Sequence, residues 1–181
     1  MSDSHWLVIS YNLPTEPSRY RVSVWRALRK LGALNLRQSM WILPPGESNR
    51  QALAELSREI EGNGGESLLM DGTFPECGHE ERILAAFNAL RDEEYREFTA
   101  ECGKYLAEIE KEIGKQKFTF AELEEEEGEL DKLDSWYLRI AARDVFSAPE
   151  GAQAREFRSR IRTAFNRYDD LVFAHGTEAK A

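Results

Sequence analysis

Two groups of residues near the amino terminus could do chemistry. Tyr11, Asn12 and Gln38 offer hydroxyl and amide groups, while Arg19, Arg21, Arg26, Arg29 and Lys30 crowd one short stretch with no acid among them. Guanidinium and amide donors of this kind recognise oxyanions, phosphates above all, through paired N–H bonds. They are not proton-transfer machinery. His5, His79 and His175 stand without a neighbouring nucleophile or orienting acid, so catalysis by histidine is not expected. Gly62-Asn63-Gly64-Gly65 reads as a turn and not as a phosphate loop of the nucleotide-hydrolysing kind. Cys77-Gly78-His79, followed by Glu80 and Glu81, is a possible metal fragment, but a structural zinc site takes about four ligands and the others are missing. No catalytic residue, metal or cofactor is expected.

The elements that must position these groups follow from periodicity. Trp6 to Leu13 is an apolar run of β-formers stopped by Pro14 and reads as a buried strand. Pro17 and Ser18 suit a helix start. At about 100° per residue, Val24, Trp25, Ala27, Leu28 and Leu31 share one arc, and Arg19, Arg26, Arg29 and Lys30 gather opposite them as a cationic ridge. Arg21 plots among the apolar residues, so its guanidinium is expected to be buried and paired, or to snorkel. Gly32 ends the helix. Leu34 to Leu43 has strand character broken at Arg37-Gln38-Ser39, the mark of a bend or tight hairpin, and Pro44-Pro45-Gly46 closes it. Ser48 can cap a second helix carrying Leu53, Leu56 and Ile60, and Ser67 to Met70 forms a last strand. The order is that of a ferredoxin-like βαββαβ sheet with its helices on one face.

Beyond Gly72 the pattern changes to long charged helices, expected over His79 to Gly114, about Phe120 to Phe146 and about Pro149 to Val172. The expected class is therefore α+β. The expected organisation is a ferredoxin-like domain over residues 1–74, a linker over 75–78, a three-helix lobe over 79–174 and a flexible tail over 175–181.

Net charge is −9, which argues against an indiscriminate nucleic-acid binder, but its distribution is uneven. The ridge is purely basic, whereas Glu122 to Asp134 is overwhelmingly acidic. Glu124 to Glu127 surround a helix turn and read as a solvated helix start favoured by the dipole, with masking of the ridge as the alternative. Two cysteines, Cys77 and Cys102, make no disulfide framework. With neither a signal peptide nor a membrane-length apolar run, a cytoplasmic protein is expected.

The order of residues carries a family resemblance. W-L-x-x-x-Y-x-L-P-x-E-P-S-R-x-R-V-x-V-W-R-x-L-x-x-L-G-A runs from Trp6 to Ala33, and Q-S-x-W-x-L-P follows from Gln38. Later come F-T-F-A-E-L-E-E-E-E from Phe118 and A-R-D-x-F from Ala142. Together they resemble the N-terminal domain family of ChrB, the regulator of bacterial chromate-resistance operons. The resemblance implies a regulatory or accessory protein linked to chromate resistance that binds duplex DNA. Longer members carry a further C-terminal domain associated with chromate resistance. A stand-alone N-terminal type is expected here, and whether this chain takes chromate as a ligand stays open.

The first 75 residues also resemble, more distantly, the small CRISPR adaptation nuclease and the C-terminal module of phenylacetate-pathway repressors. In the nuclease an aspartate ends the first strand and holds a metal, and here Asn12 stands in that place. A neutral amide brings no charge to offset the dehydration of Mg²⁺, so the resemblance implies ancestry more than activity. A metal-dependent nuclease and a protein-interaction module that never touches DNA remain the alternatives. The candidate nucleic-acid or anion contacts are Arg19, Arg21, Arg26, Arg29, Lys30, Tyr11, Asn12 and Gln38. A homodimer is expected as well, because the exposed final strand needs its edge paired or covered.

Overall fold

The computed structural model describes residues 5–178. The chain divides into two compact units, residues 1–86 and 87–181. In the first, β1 (Trp6–Asn12), α1 (Arg19–Lys30), β2 (Leu34–Arg37), β3 (Met40–Leu43), α2 (Glu47–Gly62) and β4 (Glu66–Gly72) follow one another. The strands form one antiparallel sheet in the order β2-β3-β1-β4, which is the ferredoxin-like arrangement. Ile9 lies opposite Trp41 on one side and Leu69 on the other, and Val8 lies opposite Ile42 and Met70.

Because side chains alternate along a strand, Leu7, Ile9 and Tyr11 share the face that receives α1 and α2. There they pack with Trp41, Leu43, Val24, Leu28, Leu53, Leu56 and Ile60. Val24 and Leu28 anchor α1 and are almost wholly buried; each contributes about 1.5–3 kcal/mol by leaving water. On the opposite face Trp6 is buried beside Phe74, with ring centroids 6.1 Å apart, and its Nε1 donates to Glu80 Oε1 at 3.2 Å.

The second unit is helical. α3 (Cys77–Gly114) begins inside the first unit and continues into this one, where α4 (Phe120–Ala141) and α5 (Gly151–Glu178) join it. Tyr95, Phe98, Cys102, Tyr105 and Ile109 recur three or four residues apart on α3, and Leu133, Tyr137, Ile140, Ala154, Ile161 and Tyr168 meet them in one core. Among the described residues no helix is long and apolar enough to cross a membrane.

Several boundaries differ from expectation for identifiable reasons. α2 starts at Glu47 with Gly46 at the cap position and no side-chain cap, so Ser48 lies inside the first turn instead of capping it. Cys77 and Gly78, expected in a linker, already belong to α3. α4 stops at Ala141, short of Phe146, because residues 142–150 are held as a loop by Asp144, whose Oδ1 accepts the Ala148 N–H at 2.9 Å. α5 runs past His175 to Glu178, where a tail was expected: His175 Nδ1 lies 3.0 Å from the Leu171 carbonyl, and its ring lies 4.3 Å from that of Phe118. Residues 179–181 of that expected tail lie outside the described residues.

Candidate functional site

The outer surface of α1 is built by exclusion. Val24 and Leu28 face the sheet, Tyr20, Ala27 and Leu31 flank them half-buried, and every basic residue of the helix is exposed. No carboxylate lies within ion-pair distance of Arg19, Arg21, Arg26, Arg29 or Lys30 among the described residues, although Arg50, Arg96, Arg143, Arg158 and Arg162 elsewhere all end on one. Arg29 and Lys30 fall in the last turn, where a cation offsets the helix dipole. Arg19 and Arg21 fall in the first turn, where a cation opposes it, and no acid is present there. Local helix stability therefore explains the first pair and not the second.

Of the two arrangements expected for Arg21, buried and paired or snorkelling, the structure excludes the first. It lies about 60° round the helix from Val24, at the margin of the apolar arc, and that offset lets the side chain escape to solvent. It is exposed, and its Nη2 donates to the Thr15 carbonyl at 2.9 Å, tying the loop before α1 to the helix. Trp25 is a correction: expected in the core, it is 50% exposed, with the Arg29 guanidinium 5.8 Å from its ring centroid. Val22, on the same outward side, is 41% exposed. The buried arc is narrower than the sequence plot implies, and the excess apolar residues interleave with the arginines.

At the flanks the ridge is less free. Arg19 Nη2 donates to Tyr20 Oη at 3.0 Å, and its guanidinium lies 4.9 Å from that ring's centroid. Lys30 borders the groove between α1 and α2, which Glu55 and Glu59 also line; Glu59 accepts from Ser23 Oγ at 3.0 Å. Arg21, Arg26 and Arg29 with Trp25 and Val22 thus make the most open part.

The polar groups of the sheet divide between its two faces. Tyr11 sits half-buried on the helix side, where burial pushes its phenol up and the Trp41 side chain beside it partly offsets the shift. Its backbone N–H donates to Ser39 O at 3.2 Å, next to Gln38, whose φ of 34° shapes the tight β2–β3 turn. Asn12 follows Tyr11 and points to the other face, opposite Glu66 and exposed. Tyr11 and Asn12 therefore do not form one site. Among the described residues no group of three or more His, Cys, Asp or Glu is placed to hold a metal ion.

A second polar cluster lies in the helical unit, between α3 and α4. Glu112 is buried; burial pushes its carboxyl up, but the Lys117 ammonium at 3.2 Å, with Lys115 and Lys111 near, outweighs this and holds it below the ordinary value. Glu126 was expected in a solvated helix start and is instead buried, while Glu124, Glu125 and Glu127 are exposed as expected. Burial first, then Glu108, Glu125, Glu112 and Glu122, pushes its carboxyl up to about 7. No periodicity of charge marks it, because the run is acidic on every side.

The Phe118 to Glu127 and Ala142 to Phe146 stretches of the helical unit serve packing. Thr119 caps α4 by accepting the Glu122 N–H at 3.3 Å, and Phe118 lies against Tyr168. Arg143 pairs with Glu94 at 3.1 Å, and Phe146 lies edge-on to Phe87.

In comparisons with known proteins, the family described as "Protein ChrB, N-terminal" matches residues 21–179. Protein ChrB of Cupriavidus metallidurans is 28% identical over 99 residues. That stretch is 55% of this chain and 30% of the relative, so less than a third of the relative's length is spanned. No solved structure matches the chain.

Proposed function

The chain belongs to the family of the N-terminal region of protein ChrB, and on that premise we propose that it is a non-catalytic regulatory or accessory factor linked to chromate resistance that contacts duplex DNA through the outer face of α1. The observation that carries the reading is the state of that helix. Its basic side chains are exposed and, among the described residues, free of carboxylates on an otherwise acidic protein, and two of them stand where the helix dipole disfavours them. A surface that gains nothing internally from its charge is suited to an external polyanion. Arg26 and Arg29 are the main phosphate contacts, with Arg21 beside them, while Arg19 and Lys30 are supporting positions at the flanks. Tyr11, Asn12 and Gln38 are secondary, since Tyr11 is half-buried and Asn12 turns to the other face.

The test is fluorescence anisotropy with a labelled duplex carrying the promoter of the operon that encodes the chain, repeated across salt concentrations. Binding should weaken steeply with salt, and each phosphate-contacting cation removed should lower the log–log slope by about 0.9. Arg26→Ala with Arg29→Ala should weaken binding to all sequences alike, as positional phosphate contacts do. Unchanged affinity in that variant, or no binding at low salt, would favour instead a protein-interaction module, to which exposed Trp25 and Val22 also lend themselves. Neither Mg²⁺ nor Mn²⁺ should elicit cleavage of the duplex, since the position that would need a carboxylate holds Asn12. Cleavage abolished by Asn12→Ala would overturn that part.

A further inference from the structure

The two edges of the sheet are treated in opposite ways. β2 has four residues, its register with β3 shifts between Asn35 and Arg37, and it ends on a charge. Shortness, irregularity and charge are the devices by which proteins keep an edge from pairing. β4 is neither short nor irregular, and its two charges, Glu66 and Asp71, stand toward its ends and leave Ser67 to Met70 uncharged. It runs seven residues in unbroken register with β1, contains neither proline nor lysine, and exposes Leu68 (57%), Leu69 (40%) and Met70 (41%). Along its outer side runs a row of backbone donors and acceptors that no strand of the described residues pairs. We propose that β4 pairs antiparallel with β4 of a second copy of the chain, about a two-fold axis through Leu69, joining the two four-stranded sheets into one.

The partner is a second copy because the strand is self-complementary in one register. Centring the axis on Leu69 sets Leu68 against Met70, Ser67 against Asp71 and Glu66 against Gly72. Apolar residues meet apolar residues, and no like charges are opposed. Slipping by one residue sets Glu66 opposite Asp71, or in the other direction Leu68 opposite Asp71, which directly opposed pairing disfavours. Asp71 arrives already neutralised, with Arg50 Nη2 at 2.5 Å and His5 Nδ1 at 3.0 Å. A pairing in which every contact appears twice is the self-matching geometry of a two-fold dimer.

Light scattering on the full chain at tens of micromolar should give twice the monomer mass. Leu69→Glu and Leu69→Lys each oppose like charges at the axis and should give monomers when pure. An equimolar mixture of the two should restore a dimer containing one of each, because in this register alone position 69 faces itself. Circular dichroism and melting check that each variant folds. Should the position 69 variants fail to fold, Leu68→Lys, on the opposite face from the helix-side core, should still lower the dimer fraction at least tenfold at equal concentration. A monomeric wild type, a Leu69→Glu variant as dimeric as wild type, or a mixture that stays monomeric would each overturn the proposal. So would a folded Leu68→Lys dimer of undiminished strength.

Discussion

Tyr95 donates its hydroxyl proton to Asp144 Oδ2 at 3.1 Å, and the other oxygen of that carboxylate accepts the Ala148 N–H. One aspartate thereby ties the α4–α5 loop both to itself and to α3. Asp144→Ala strips an acceptor from two donors and should destabilise the protein by about 1–3 kcal/mol, and Tyr95→Phe by about 0.5–1.5 kcal/mol. Urea denaturation followed by near-ultraviolet circular dichroism reads both. Burial, followed by the Asp144 charge, pushes the Tyr95 phenol up, so this donor keeps its proton at neutral pH. The loop is not held this way if both variants keep the wild-type midpoint.

Gly65 should be intolerant of any side chain. A Cβ there would stand 2.5 Å from the Asn12 carbonyl oxygen, 2.8 Å from Leu13 Cδ2 and 2.9 Å from Ile60 Cγ2, so backbone would have to move. Gly65→Ala should cost about 1–3 kcal/mol through this crowding. Gly64→Ala should cost about 1–2 kcal/mol for a different reason, its φ of 77°, since a Cβ there would meet only Pro14 Cγ at an ordinary 3.9 Å. Asn tolerates that backbone region better than Ala, so Gly64→Asn should recover part of the loss and Gly65→Asn none. Parallel thermal melts of the four variants separate the two causes.

These positions show where the sequence was informative. Strands and helices were legible because apolar periodicity switches cleanly at Gly and Pro, and the α+β class follows from their order. The site was legible only in part. A helical plot ranks residues by angle but does not say how wide the buried arc is, so it places Trp25 inward and leaves Arg21 at the margin with two possible arrangements. Tyr11 and Asn12 were grouped by adjacency, although the two-residue period of a strand sends neighbours to opposite faces. Glu126 was hidden in a uniformly acidic run, and only the packing of α4 on α3 singles it out.

Glu126 should make stability fall with pH. Its carboxyl is held at about 7 in the fold against an ordinary value of 4.5, so between these values the folded state binds more protons than the unfolded one. Its stabilising contribution is present below about 4.5 and is lost as pH rises through about 7. Glu126→Gln keeps the shape without the charge, and should flatten the dependence and melt higher than wild type at pH 8. Melting temperatures of both proteins from pH 5 to pH 8 give the comparison, and parallel curves would show that Glu126 does not carry it.

Trp25 should be covered when the proposed DNA contact forms. Trp6 and Trp41 are buried and Trp136 is half-buried, which leaves Trp25 as the tryptophan most open to a quencher. Acrylamide should quench free protein readily and protein saturated with duplex much less, and Trp25→Ala should remove most of the difference. The side chain is apolar, so its loss should weaken binding by about 1–2 kcal/mol at every salt concentration without changing the log–log slope. Removing Arg26 and Arg29 should do the reverse, lowering the slope and costing most at low salt. Binding that leaves Trp25 as quenchable as before would place the nucleic acid elsewhere on the protein. A Trp25→Ala variant with a reduced slope would show that the ring acts by holding Arg29 in place, 5.8 Å away, and not by its own contact.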